Sequence, residues 1–166
     1  MKKIGFLIKL HEEEKLKEVE PNNEVKEAYL QRSNESLSSA KALLKMGNLK
    51  DAVALAYFSM YHCLLAALFR IGIKCENHAA SIILLKEVFG VDNKKISKAK
   101  FERVDKQYYV DFVVNQEEAS KSIRIAEEFI AEINNLIATL NEENIKQYHE
   151  RAVDLISKDK KQDSPY

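Results

Sequence analysis

The stretch "AVALAYFSMYHCLLAALFRI", residues 52–71, decides the fold. Its length and apolar majority approach what a helix needs to cross a bilayer. The same composition suits a helix enclosed by protein on all sides. Ser59 and His62 interrupt the run, and no second span accompanies it. A buried core helix is the better reading, and no membrane association is expected.

Working outward, Gly72 ends this helix in the manner of a C-terminal glycine, and Gly47 with Asn48 separates it from the helix before. That preceding helix runs from about Asn23 to Met46, with Val25, Ala28, Tyr29, Ser36, Leu37, Ala40, Leu43 and Leu44 at helical spacing. Asn77 is placed to cap a third helix, His78 to Phe89, which stops at Gly90. A fourth begins near Asn93. In the fifth, Ala119, Ile123, Ala126, Ile130, Ile133, Ile137 and Leu140 form one heptad seam, broken at Asn141. Phe129 and Leu136 widen that stripe and point to a second copy of the chain. A shorter helix carries Ile145, Tyr148, Ala152 and Ile156, and the tail "SKDKKQDSPY" reads as loose. Residues 1–22 are an N-terminal extension in which "KIGFLIKL" suits a short extended piece laid on the body. No strand alternation competes elsewhere, so the expected fold is all-α, an up-and-down bundle of four main helices plus short extra ones.

Composition narrows the function classes. The 166 residues hold 26 lysines and arginines against 26 aspartates and glutamates, so no net field draws in nucleic acid or anionic lipid. Any RNA contact has to come from a local patch, and Lys94, Lys95, Lys98 and Lys100 are the densest one, although a solvated face is the better reading of them. Two cysteines, Cys63 and Cys75, make no disulfide framework and suit a reducing cytoplasm. The apolar run near the N-terminus is too short for a secretory signal. There is no HExxH, no paired CxxC and no glycine-rich phosphate loop, so neither a metal nor a cofactor is implied. His62 and Cys63 are neighbours about 100° apart on a helix, which argues against a dyad. His62 reads as a core histidine with one hydrogen-bond partner.

Residues 51–90 resemble the HEPN family of small prokaryotic helical domains. The aromatic–aromatic–x–Met–aromatic–His core reads here Tyr57, Phe58, Met60, Tyr61 and His62. Gly72, Lys74, Asn77 and His78 follow as the glycine loop and the His-led helix, and "QYYVDF" and "SIRIAEEFIAEI" continue the likeness. It spans roughly 23–140, leaving 141–166 as a C-terminal helix and tail. The resemblance implies a helical bundle that pairs as a homodimer. It also implies either a ribonuclease or a partner of a small nucleotidyltransferase in a toxin–antitoxin or defence setting. Ribonuclease members carry arginine, four to six residues, then histidine. Here "RVDKQYYVD", residues 103–111, has Arg103, four residues, then Tyr108, and Arg70 and His78 have seven residues between them, with a glycine turn among these.

Tyrosine titrates near 10 and is a poor base at neutral pH. The pattern therefore implies a HEPN domain without the ordinary catalytic pair. Its groove would take RNA, a nucleotide or a protein partner. Arg103, Lys106, Gln107, Tyr108 and Tyr109 would supply phosphate contacts and stacking rings, and Asn77 and His78 a donor at a helix start. Two other readings stand beside it. One is a divergent ribonuclease toxin using Arg103 with Tyr108 or His78. The other is a purely structural dimeric module in which Arg103 pairs with local acids.

Overall fold

A computed structural model describes residues 2–108 and 112–157, the side chains of residues 104–108 excepted. The elements follow in the order α1 (Lys2–Glu12), β1 (Leu16–Glu18), α2 (Asn23–Lys45), α3 (Leu49–Arg70), β2 (Ile73–Cys75), α4 (His78–Phe89), α5 (Lys94–Tyr108), α6 (Gln116–Ala138) and α7 (Glu142–Ser157). The fold is all-α, as the pattern predicts. The helix ends lie where the polar caps and glycines place them. Asn22 Oδ1 accepts from Val25 N at 2.9 Å, Asn77 Oδ1 from Ala80 N at 3.0 Å, and Asn115 forms a capping box with Glu118. Asn141, expected only to break α6, also exchanges hydrogen bonds with Asn144 and so starts α7.

α3 is the axis of the molecule and packs on α2, α4, α5, α6 and β2. Its apolar window is 78% buried inside the protein, so core packing accounts for the near-spanning composition. Tyr57, Met60, Tyr61 and Leu64 are all buried, as a central helix requires. The two serines that a core helix must satisfy are paired. Ser33 Oγ donates to Ser59 O at 2.7 Å, and Ser59 Oγ donates to Ala56 O at 2.6 Å. Ser33 and Ala40 are the only fully buried residues of α2, and their small size lets the backbones of α2 and α3 approach.

Two expectations need correction. "KIGFLIKL" is part of a helix, α1, which packs Leu7 and Leu10 against α4 and α7. Those residues are three apart and share a face, and the tertiary surface beneath them selects the helix despite Gly5. There is also a two-stranded antiparallel sheet that no alternation announced. Leu16 pairs with Cys75, Lys17 with Lys74 and Glu18 with Ile73. Three-residue strands are too short to show a period. At Gly72, φ is +76° and an added Cβ would lie 2.5 Å from Val19 O, so this glycine both ends α3 and admits the chain beside β1. His149 of α7 holds the same corner, with Nδ1 2.8 Å from Ile71 O and Nε2 3.2 Å from Glu18 Oε2. The widened stripe of α6 is also largely covered by the chain itself. Phe129 is fully buried within the chain itself and Leu136 is half-buried against the same core. The tail from residue 158 onward lies outside the described residues.

Candidate functional site

On α3, Tyr57 and Tyr61 are four residues apart, as are Phe58 and His62, so two adjacent rows of rings run along one side of the helix. α4 begins beside them because Asn77 caps it there, and this brings His78 onto the rings. The His78 imidazole stacks on Tyr61 with centroids 3.8 Å apart, and its Nδ1 lies 2.7 Å from Tyr57 Oη. Phe58 meets it edge-on at 6.4 Å. From α5, the Arg103 guanidinium carbon sits 4.1 Å from the Phe58 ring centroid and 5.5 Å from that of Tyr57. Such contacts contribute about 0.5–2 kcal/mol each, more where water is excluded.

The charge environment follows from this packing. Burial, then the positive charges of Arg103 and Lys100, then His62, push His78 down to about 4. The start of α4, the positive end of a helix, acts in the same direction. His78 is therefore a neutral imidazole at physiological pH. Burial raises the Tyr57 hydroxyl well above its ordinary value, with Tyr61 adding to the rise and Arg103 opposing it. Tyr61 is pushed up to about 12, chiefly by burial. His62 is lowered by burial and by Arg32, and its Nδ1 lies 3.4 Å from Ser36 Oγ. Arg103 and Lys100 thus face neutral rings. No carboxylate among the described residues pairs with Arg103, and its buried Nε has no hydrogen-bond partner among them. A buried donor without an acceptor is costly, and an anionic oxygen would relieve it.

The structure therefore joins two of the expected site residues, Arg103 and His78, which are 25 positions apart in sequence. Asn77 is beside them, but its side-chain oxygen is engaged in capping α4. The side chains of Lys106, Gln107 and Tyr108, and all of Tyr109, lie outside the described residues. Sequence reasoning assigns Tyr57, Phe58 and Tyr61 to a family pattern. It missed that they are the platform for Arg103 and His78. Their four-residue spacing announces one helix face, but nothing in the spacing announces which residue of α5 lands on it. Cys63 is buried and its thiol is pushed up to about 12 by burial, so it is no nucleophile. Among the described residues no cluster of three His, Cys, Asp or Glu side chains is arranged to hold a metal ion.

Of the lysine patch, Lys94 lies 3.9 Å from Asp92 and Lys95 lies 3.8 Å from both Glu128 and Glu132. Lys98 borders a cleft between α3, α5 and α6. The patch is therefore divided between solvated ion pairs and the surroundings of α3.

The chain is similar to known proteins at two levels, a family profile and a curated relative. A profile described as HEPN domain matches residues 26–136. The UPF0332 protein PH1297 of Pyrococcus horikoshii is 39% identical over 56 residues. That alignment covers 34% of this chain and 39% of the relative, so it spans well under half of that protein's length.

Proposed function

Given that the chain belongs to the HEPN domain family, we propose that it is a binding module which holds a phosphate group of RNA or of a nucleotide at Arg103 without cleaving it. The observation that carries this is Arg103 itself, laid on the Phe58 ring with its buried Nε unpartnered among the described residues. A guanidinium so placed is pre-oriented, and a phosphate can take two of its N–H groups at once. Neutral His78 adds a donor or acceptor beside it. Lys106, Gln107, Tyr108 and Tyr109 extend the contact in this reading.

Cleavage is disfavoured because a general base works best with a pKa near the working pH. His78 is held at about 4, and both tyrosines are raised. One observation keeps a ribonuclease as the second reading: Arg103 and His78 do share a site despite the broken motif. A homodimer, a nucleotidyltransferase partner in a toxin–antitoxin or defence setting, and a cytoplasmic location belong to the same proposal. Phe101 and Val113, 67% and 80% exposed on either side of residues 104–111 in sequence, offer apolar surface for such pairing.

The test is an electrophoretic binding and cleavage assay with mixed single-stranded RNA and labelled ATP, using the wild-type chain, Arg103→Ala and His78→Gln. The expected outcome is no cleavage, with affinity about tenfold or more weaker in Arg103→Ala. Cleavage by the wild type that both variants lose would establish the ribonuclease instead. Affinity unchanged by Arg103→Ala would remove the proposed site.

A further inference from the structure

A second cavity, separate from the Arg103 site, lies between α3, α5 and α6. Its volume is about 410 Å³, within the range of small-molecule sites. The floor is apolar and comes from three helices: Val53, Ala56 and Met60 of α3, Ala99 of α5 and Ile125 of α6. The rim is cationic, with Lys94, Lys95, Lys98 and Lys121 set against Glu102 and Glu118. The lining therefore carries four lysines against two glutamates, and Glu118 Oε2 also accepts from Asn115 N at 3.1 Å in the capping box of α6. Lys94 and Lys95 have the acidic neighbours described above. Lys98 and Lys121, on opposite walls, have no carboxylate within ion-pair reach among the described residues. Two lysines from different helices, neither ion-paired among the described residues, thus border one apolar floor in a chain of zero net charge.

The chemistry of the lining selects the body of the ligand. The uncharged polar groups among the walls are Tyr57, whose hydroxyl is taken by His78, and Ser122. A ribose or a base edge set on this floor would bury polar groups without partners. We propose that the cleft binds a small organic anion with an apolar body, an aromatic or medium-chain aliphatic sulfonate or carboxylate. Its body lies on Ala56, Met60 and Ile125, and its anionic head lies between Lys98 and Lys121. Nothing in this assignment depends on the phosphate site at Arg103. Tyr57 borders both, lining the cleft while its hydroxyl meets His78.

The experiment is a fluorescence titration of the intact chain with 1-anilinonaphthalene-8-sulfonate, followed by displacement with decanoate and, separately, with AMP. Saturable one-to-one binding is expected, with decanoate displacing the dye and AMP failing to. The double variant Lys98→Glu/Lys121→Glu, both exposed side chains, is expected to bind about tenfold more weakly. Ala99→Trp, which fills the cleft, is expected to abolish binding while keeping a cooperative thermal melt. Lys146→Glu, a charge reversal on the far helix α7, leaves binding unchanged. The proposal is overturned by non-saturable binding, by dye affinity indifferent to both cleft variants, or by AMP displacing the dye as well as decanoate does.

Discussion

α3 and α6 are nearly equal in length, 22 and 23 residues, yet α3 buries 14 of them and α6 buries six. The difference decides where chemistry sits. α6 is amphipathic, so its charges stay in water and its buried face is a plain aliphatic seam of Ala119, Ile123, Ala126, Ile130 and Ile133 with Phe129 beside it. α3 has almost no wet face, and each polar atom it carries must find a partner within the protein. Ser59 finds a backbone carbonyl, Tyr57 finds His78, and His62 finds Ser36. A fully enclosed helix thereby gathers the polar and aromatic groups from which a site is built, and a one-sided helix does not.

The largest test of that contrast is a pair of truncations. Leu64→Ala, at a fully buried position of α3, is expected to cost about 2–5 kcal/mol. Leu136→Ala, on the half-buried margin of α6, is expected to cost about 1 kcal/mol. Urea denaturation measures both, and equal costs would break the comparison. Next in size is the end of α6, where its polar residues do matter. Asn115→Ala removes the capping box and is expected to lower stability by about 1 kcal/mol in the same assay.

A smaller effect is expected from the half-exposed His78. Its ordinary pKa of 6.5 applies in the unfolded chain, whereas the folded site holds it at about 4. Between those values the unfolded chain binds the proton and the folded chain does not. Stability is therefore fully present above pH 6.5 and declines as the pH falls towards 4. His78→Gln should make the slope of Tm against pH shallower across that window, with the lowered His62 leaving a residual slope in the same direction. Arg103→Ala should raise the pKa of His78, read by NMR titration, because Arg103 is one cause of the depression. The least effect belongs to the wet face of α6. Glu128→Gln removes an exposed partner of Lys95 and should shift stability by no more than about 0.5 kcal/mol. A large loss there would mean that the charged face of α6 is not merely solvated.

The sequence by itself determined the helices from α2 onward, because each is written in local chemistry. Asn77 and Gly90 bracket α4, Gly72 ends α3, and the step pattern from Ala119 to Ile133 marks the buried face of α6. The resemblance to the HEPN family was equally legible, since Tyr57, Phe58, Met60, Tyr61 and His62 sit within one helix and keep their order. What only the tertiary structure decided is what those elements do to each other. α1 is a helix because α4 and α7 offer a surface to Leu7 and Leu10, and β1 is a strand because β2 lies beside it. Phe129 belongs to the core of its own chain rather than to a partner's surface, a matter of which neighbours surround α6 and not of its stripe. Arg103 meets Phe58, Tyr57 and His78 only because α5 and α4 both close on α3. Helical periodicity reports which side of a helix is apolar, but contacts across 25 to 46 positions of chain depend on how helices cross, and no local pattern encodes that angle.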